Sequence, residues 1–457
     1  MAGSRLAIVS LSVLALLAAM PGLAIAAPKA PPAPPPSGPI RLGFCSGDDW
    51  EPEMAHRGTT VYVAITHYAG DPSCDPNAAA PNTIDIQVST DGGRTFGAPH
   101  PVFTGSIGGV SYPSQADPVV AVDSAGAVYV SFLGYGNNGG HTDIVAAKST
   151  NGGATFSAVK VNTKDCKNCD HEKIAVAGSS IYIAYSQAGY HFIARSGDSG
   201  ASWTQSTVRS SGNVAFAEGM VVDASNNLYT AWGDCRSSNC TGAPAADYLV
   251  SKTLAGTLTT TFSTVATGDQ GPDCPFSSCG FAYFGAQDDI AIDAAGTLYV
   301  AWQDGQVPTT RKSPPIVNLS RSTDGGQTWA NLGRVDNKTA SGCAASACYA
   351  LFPTVTAGAA GAVYVAWMDD RNGSPINHVN GWNVWLRSST NGGASFGAAQ
   401  QLSAYDPSQA QSQPNGFVFP YGDYFGLELN ACGAPHLTWG EGVSWVGPGH
   451  IEFRTLC

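Results

Sequence analysis

One short phrase is written five times along this 457-residue chain. It reads Ser89-Thr-Asp91-Gly-Gly93-Arg-Thr95-Phe96 and returns at 149–156, 196–203, 322–329 and 389–396. The shared pattern is Ser-x-Asp/Asn-x-Gly-x-Thr/Ser-aromatic. Recurrence of this kind means a repeat architecture, each repeat being one supersecondary unit. Asp or Asn hydrogen-bonds to backbone amides just ahead of it, and Gly supplies positive φ. The aromatic then buries a large apolar face. Before each copy the residues alternate as strands do, as in Asp85-Ile-Gln-Val-Ser and Asp143-Ile-Val-Ala-Ala. Each phrase therefore joins two antiparallel strands, and its acidic residues belong to the turn rather than to catalysis.

A second phrase precedes each turn. Val61-Tyr62-Val63-Ala64 recurs at 128–131, 181–184, 228–232, 298–302 and 363–367, with a diverged copy at 436–439. A period of about 60 residues holds a four-stranded blade and one long loop. The prediction is an all-β propeller of seven four-stranded blades, with strands A to D running from the axis outward. Six blades is the alternative. Blade 4 has lost its turn phrase, and blade 7 stops at a strand C near 451–457. Its missing strand D is predicted to be Pro39-Ile-Arg-Leu-Gly-Phe44 from the other end of the chain, which would pair the last open edge.

The repeated turn resembles the Asp-box, or BNR repeat, of the sialidase superfamily, and the resemblance covers nearly all of residues 40–457. It implies a propeller, although the sialidases themselves have six blades. It says little about activity, because one scaffold hosts many functions.

Residues 1–27 read as a secretory signal, with Arg5, an apolar run from Leu6 to Met20 and the small-residue pattern Ala24-Ile-Ala26. A Pro-rich linker follows at 28–39. No later stretch is apolar enough to span a membrane. The expected location is secreted, extracellular or periplasmic, and the expected state is a monomer. All twelve cysteines lie beyond the signal. An even count in an exported chain reads as disulfides. Close pairs are Cys166/Cys169, Cys235/Cys240, Cys274/Cys279 and Cys343/Cys348, leaving Cys45 and Cys74 with Cys432 and Cys457. A redox motif at Cys166/Cys169 and a four-thiolate zinc site at Cys235/Cys240 with Cys274/Cys279 are the alternatives. A net charge of −12 excludes a basic nucleic-acid footprint.

In such blades the A–B and C–D turns share one face, and the B–C loops share the other with the D-to-A connections. The repeated turns thus mark a bottom, and long loops at 233–247, 303–318 and 368–381 place function on the top. Residues entering each strand A from the top line a funnel of carboxylates and aromatics. Asp117, Asp288 and Asp423 are candidates for the carboxylate pair of glycoside hydrolysis. Glu218, Arg236, Arg371 and Trp382 are candidate sugar contacts, with both arginines expected to overlook the pocket. His171, His191 and Arg195 are expected together at the top of blade 3. A neutral His can take the C5 proton of a uronic acid while Arg neutralises its carboxylate and a Tyr returns a proton. The run Phe419-Pro-Tyr421-Gly-Asp423-Tyr424 resembles the phrase opening the last blade of secreted BNR-repeat proteins. That resemblance implies Tyr424 as a nucleophile assisted by Asp423. Sialidases hold the substrate carboxylate with three arginines, whereas only Arg236 and Arg371 are well placed here, which points away from sialidase activity.

The expected function is hydrolysis of glycosidic bonds in an extracellular glycan. Elimination by a propeller polysaccharide lyase and non-catalytic glycan or protein binding are the alternatives. The sequence names no certain cofactor, and a structural cation such as calcium in the acidic funnel is the alternative.

Overall fold

The computed structural model of the protein describes residues 38–44, 48–68, 82–137, 142–163, 166–238, 240, 242, 244–269, 286–305, 314–337, 348–372, 382–403, 424–442 and 449–457. Among them every helix or strand is a strand. Seven four-stranded antiparallel sheets form a seven-bladed propeller, which excludes the six-blade count. The innermost strands are Asp48–Arg57, Ser114–Val122, Cys169–Ala177, Ala215–Val222, Asp288–Ile292, Ala350–Ala357 and Phe425–Leu429.

Blade 7 closes as its open edge demands. Ile40–Leu42 is its outermost strand and pairs antiparallel with Gly449–Thr455, Ile40 opposite Phe453 and Leu42 opposite Ile451. The outer side of Gly449–Thr455 is thereby paired across Ile451–Phe453.

The repeated turn explains itself in hydrogen bonds. Asp91 Oδ1 accepts from Thr95 N at 3.0 Å, and Ser89 Oγ accepts from Gly93 N at 2.9 Å. Asp198 and Asp324 repeat the pattern with Ser202 and Thr328. Such donors hold these carboxyl groups below the usual carboxylate range. Gly92 N donates to Thr59 O at 2.8 Å, so the repeated turn and the A–B turn share one end of the blade. The bottom face is therefore as predicted.

Seven apolar clusters fill the seven blade-to-blade interfaces. The aromatic ending each repeated turn packs backward onto the preceding blade. Phe96 meets Phe453 of blade 7 edge-on at 4.9 Å, and Trp329 donates to Ser263 of blade 4 at 3.0 Å. The phrase thus sets both the hairpin and the angle between neighbouring blades.

The disulfides Cys166–Cys169, Cys235–Cys240 and Cys432–Cys457 are formed. The Cys235–Cys240 bond removes the four-thiolate zinc reading. Cys348 is also disulfide-bonded. Cys45, Cys74, Cys274, Cys279 and Cys343 lie outside the described residues.

Candidate functional site

The axial strands converge on a cavity of about 270 Å³. The strands around it share a recurring irregularity. Strand A bulges between Trp50 and Glu53, Ala116 and Val119, Asp170 and Lys173, Ala217 and Gly219, and Leu351 and Thr354. In four of these blades the bulge holds a non-glycine residue in the left-handed region: Glu51 at 55°, Asp117 at 58°, His171 at 52° and Phe352 at 51°. Each such residue costs about 1–3 kcal/mol, and such strain concentrates at binding and catalytic sites. A bulge inserts one residue and re-aims its neighbours. Here it breaks the alternation of strand A, so consecutive polar side chains such as His171 and Glu172 are both buried.

Two tiers result. In the upper tier, Glu51 Oε2 accepts from Thr66 Oγ1 at 2.5 Å and from Asp117 N at 3.1 Å. The Asp117 carboxyl is hydrogen-bonded to Glu51. Burial, then the charges of Glu51 and Asp170, push it well above the usual carboxylate range. Glu172 is 1% exposed, and neither of its oxygens accepts a hydrogen bond from another residue. Burial and the Asp117 charge raise it in the same way.

In the lower tier, Lys173 Nζ lies 3.2 Å from Glu53 Oε1 and 4.6 Å from the centre of the Tyr424 ring. Burial alone would depress its ammonium, but Glu53, Glu218 and Asp289 outweigh burial and hold it above its ordinary value. His171 Nδ1 is 3.7 Å from Glu218 Oε2, and its ring is 5.5 Å from that of Tyr424. Asp289 accepts from Val355 N at 2.9 Å and Thr354 Oγ1 at 2.8 Å, and burial still pushes it up to about 7. Gly219 is required beside it, because a Cβ there would collide with Asp289 Oδ1. Asp288 is 3% exposed, lines the cavity and has no hydrogen-bond partner on either oxygen. Burial, with Glu218 and Asp289 adding repulsion, pushes it well above the usual range.

Lys173 is the one cation among the residues lining the cavity. Lys173→Met is expected to cost about 3–5 kcal/mol, the scale for leaving a buried charge uncompensated. Lys173→Arg should recover much of that loss. Thermal melts of the two variants check it.

Several predicted residues stand elsewhere. His191 is buried between blades 3 and 4, its Nε2 2.5 Å from Asp234 Oδ1 and its ring against Trp232 at 4.6 Å. It does not pair with His171. Arg195 lies opposite Tyr182 near the bottom of its strand and donates to Ser180 Oγ at 3.0 Å. It sits at the repeated-turn end and cannot serve the top. Arg236 is an exposed partner of Asp247, with Nε to Oδ2 at 3.0 Å. Arg371 is locked to Asp369 through Nε and Nη2 and lies 3.9 Å over the Trp385 ring. Neither arginine lines the cavity. Trp382 is fully buried with Leu437 and Trp439 between blades 6 and 7. It is a packing residue rather than a sugar platform. Asp423 lies outside the described residues. Asp117, His171, Glu218, Asp288 and Tyr424 are the predicted residues that the two tiers do bring together. Glu53, Glu172, Lys173 and Asp289 complete the tiers; the sequence places them on the funnel but assigns them no role. No group of three or more His, Cys, Asp or Glu among the described residues is arranged to hold a metal ion.

No family model and no curated protein matches this chain. Its likeness is to solved structures. An ulvan lyase, described as a new family of polysaccharide lyase and bound to -[GlcA(1-4)Rha3S]-, aligns with a TM-score of 0.53 at 11% identity, over 91% of this chain and 96% of that one. A protein of unknown function from Dyadobacter fermentans aligns at 0.50 with 12% identity, over 92% and 97%. An ancestral GH74 enzyme aligns at 0.50 with 13% identity, over 93% of this chain and 51% of that one. Sialidases also align, at TM-scores of 0.45 and 0.43. At these identities the likeness shows the fold alone, a β-propeller of the kind that the ulvan lyase and the GH74 enzyme have.

Proposed function

We propose that the protein is an exported carbohydrate-active enzyme that hydrolyses glycosidic bonds of an extracellular glycan at the top of the propeller axis. The observation that carries this is Asp288, a buried carboxyl without a partner, on the wall of a cavity that also presents Glu218. Burial favours the protonated form of such a carboxyl, and that form can give its proton to a leaving glycosidic oxygen. Glu218, set by His171, is the second carboxylate, acting on the sugar carbon or on the attacking water. Tyr424 and Lys173 position the ring. The signal-like residues 1–27, the Pro-rich spacer 28–39 and the disulfides support export.

β-Elimination is the second reading, because His171, Tyr424 and Lys173 share the lower tier. Its signature is ultraviolet absorbance from an unsaturated uronate. The deciding measurement is reducing-sugar release over neutral, N-acetylated, amino-sugar and uronate polysaccharides, with absorbance followed in parallel. Release without absorbance is expected. Absorbance on a uronate polymer would replace hydrolysis by elimination, and silence on every polymer would leave a binding propeller.

A further inference from the structure

The top of blade 3 is built from the shortest connections of the ring. Its strands Ser180–Gln187 and Tyr190–Ser196 are joined by Ala188 and Gly189 alone, where the other blades use six residues or more. Both residues have positive φ, 47° and 81°, the backbone of a tight hairpin turn. Residues 211–214 alone lead from strand D to blade 4, the shortest blade-to-blade connection. The two are tied together. Ser211 N donates to Gly189 O at 2.8 Å, and a Cβ on Gly189 would run into Asn213 O. Blade 3 also gives Lys173 to the wall of the axial cavity. Of the ways out of that cavity across the top, the one over blade 3 therefore passes the least main chain.

Aromatic rings stand beside that way out. Tyr135 and Tyr190 are the exposed large aromatics among the described residues, at 40% and 48%. Both face one seam. Leu133 and Phe192 pack in the cluster between blades 2 and 3, and side chains two apart on a strand share a side. Tyr135 therefore faces blade 3 and Tyr190 faces blade 2, its ring 6.5 Å from that of Phe192. One loop holds the strand partners of both. Thr142, opposite Tyr135, donates from N to Cys166 O at 3.0 Å, and Gln187, opposite Tyr190, donates from Nε2 to Lys167 O at 3.2 Å. The Cys166–Cys169 disulfide closes that loop, and its Lys167 and Asn168 are exposed. Tyr135 is on strand B and Tyr190 on strand C, so they mark successive strand positions outward from the axis. A single exposed aromatic is ordinary, but two on one pinned seam make a patch. Two half-exposed rings fall far short of the ~800 Å² per partner that a stable protein interface buries. They suit sugar rings, which can lay a C–H face on a rigid tyrosine while their hydroxyls accept from Lys167 and Asn168.

We infer that the seam between blades 2 and 3 is a distal subsite of the axial site, where a glycan chain lays successive sugar rings on Tyr135 and Tyr190 while its reacting residue occupies the cavity. The inference rests on the glycan-cleaving reading of that cavity. It names the substrate as an oligosaccharide or polysaccharide chain rather than a small glycoside.

The test is calorimetric binding to the full chain carrying Asp288→Asn, which keeps the probes whole. The probes are dimers and hexamers of 1,4-linked glucose, mannose, N-acetylglucosamine and galacturonate. In at least one series the hexamer should bind about 10-fold or more tighter than its dimer, the scale of two ring contacts. Tyr135→Ala and Tyr190→Ala, both at exposed positions, should each weaken that hexamer by about 2- to 10-fold. The two losses should multiply in the double variant, because the rings touch different sugars. Equal affinity for dimer and hexamer in every series, absence of hexamer binding, or unchanged hexamer affinity in the double variant overturns the inference. Sedimentation of the same proteins covers the other occupant: a dimer that the double variant loses would give the seam to a second copy of this chain and overturn it too. Failure here is separable from failure of the hydrolytic reading. Length-dependent binding that both variants weaken, without turnover by the unsubstituted chain, removes hydrolysis alone. Turnover that is equal on dimer and hexamer and untouched in the double variant removes the seam alone.

Discussion

Asp288→Asn is expected to lower turnover by about 10²–10⁴-fold, the usual contribution of a positioned proton donor. The amide keeps the shape and cannot give a proton. The chain should remain folded, because Asp288 makes no hydrogen bond that the substitution breaks. Wild-type activity should fall on the alkaline side as Asp288 ionises, and the residual activity of the variant should lack that limb. Stability moves with the same group. The folded pKa of Asp288 lies above its ordinary value of 3.8, so the folded chain holds a proton that the unfolded chain releases. Its contribution is complete below that ordinary value and is lost as pH rises toward the folded pKa. Asp289 and Glu441, each pushed up to about 7, and Asp48 and Asp304, each at about 6, act in the same sense. Asp91, held down at about 2 in its turn, acts oppositely and loses its contribution as pH falls from 3.8 toward 2. Thermal melts should therefore peak near pH 4 and decline toward pH 8. Asp288→Asn should melt above wild type near pH 8 and converge with it near pH 4. Full turnover in the variant would remove Asp288 as the proton donor. A lower melting temperature near pH 8 would mean that Asp288 is ionised and held there.

The blades were legible because a local signal repeats. Turn chemistry and strand alternation are properties of neighbouring residues, and seven copies of the strand phrase reinforce each other. The closing strand was legible for a different reason: blade 7 lacked a strand, and an unpaired edge needs a partner. The tiers were harder. Alternation predicts that Glu51 and Glu53 share a face, but a bulge changes the count, and one inserted residue changes which side chains meet the axis. A signal existed. Glu51-Pro52, Asp117-Pro118 and Phe352-Pro353 stand at matching places in blades 1, 2 and 6. Proline inside a central strand belongs at a bulge. Arg195 could have been placed correctly too. It immediately precedes Ser196, which opens a repeated turn, so it had to lie at the bottom. Arg371 is held by Asp369, two residues before it in the run Asp369-Asp370-Arg371, so a local partner was in view. Trp382 could not be placed, because its partners Leu437 and Trp439 come from a distant part of the chain and no local pattern announces them.

Removing residues 1–44 is expected to cost the ring its closure. Leu42 is 2% exposed among Met54, Val61, Ile65, Ile451 and Phe453, and therefore bridges blades 7 and 1. Phe44 is 6% exposed, its ring 4.2 Å from that of His67. Burying two such side chains contributes about 3–6 kcal/mol. That is a large part of the ~5–15 kcal/mol by which a domain is stable. The loss goes beyond apolar area. Gly43 N donates to Gln87 Oε1 at 2.6 Å and Phe44 N to Asp49 Oδ2 at 2.9 Å. Asp49 is fully buried and also bonds His67 at 2.7 Å. Without the strand, a buried carboxyl loses a donor and the edge of Gly449–Thr455 is left open to pair with another chain. A chain beginning at residue 38 is the reference. A chain beginning at residue 45 should melt at a distinctly lower temperature and aggregate on heating. Leu42→Asp in the full chain should lie between them, because it keeps the ladder while placing a charge in the blade 7–blade 1 cluster. If the chain beginning at residue 45 melts with the reference, the ring holds without its terminal strand. Closure would then rest on the remaining contacts between blades 7 and 1, where Gly449 N donates to Asp48 at 2.8 Å and His56 Nδ1 meets Glu428 at 2.8 Å.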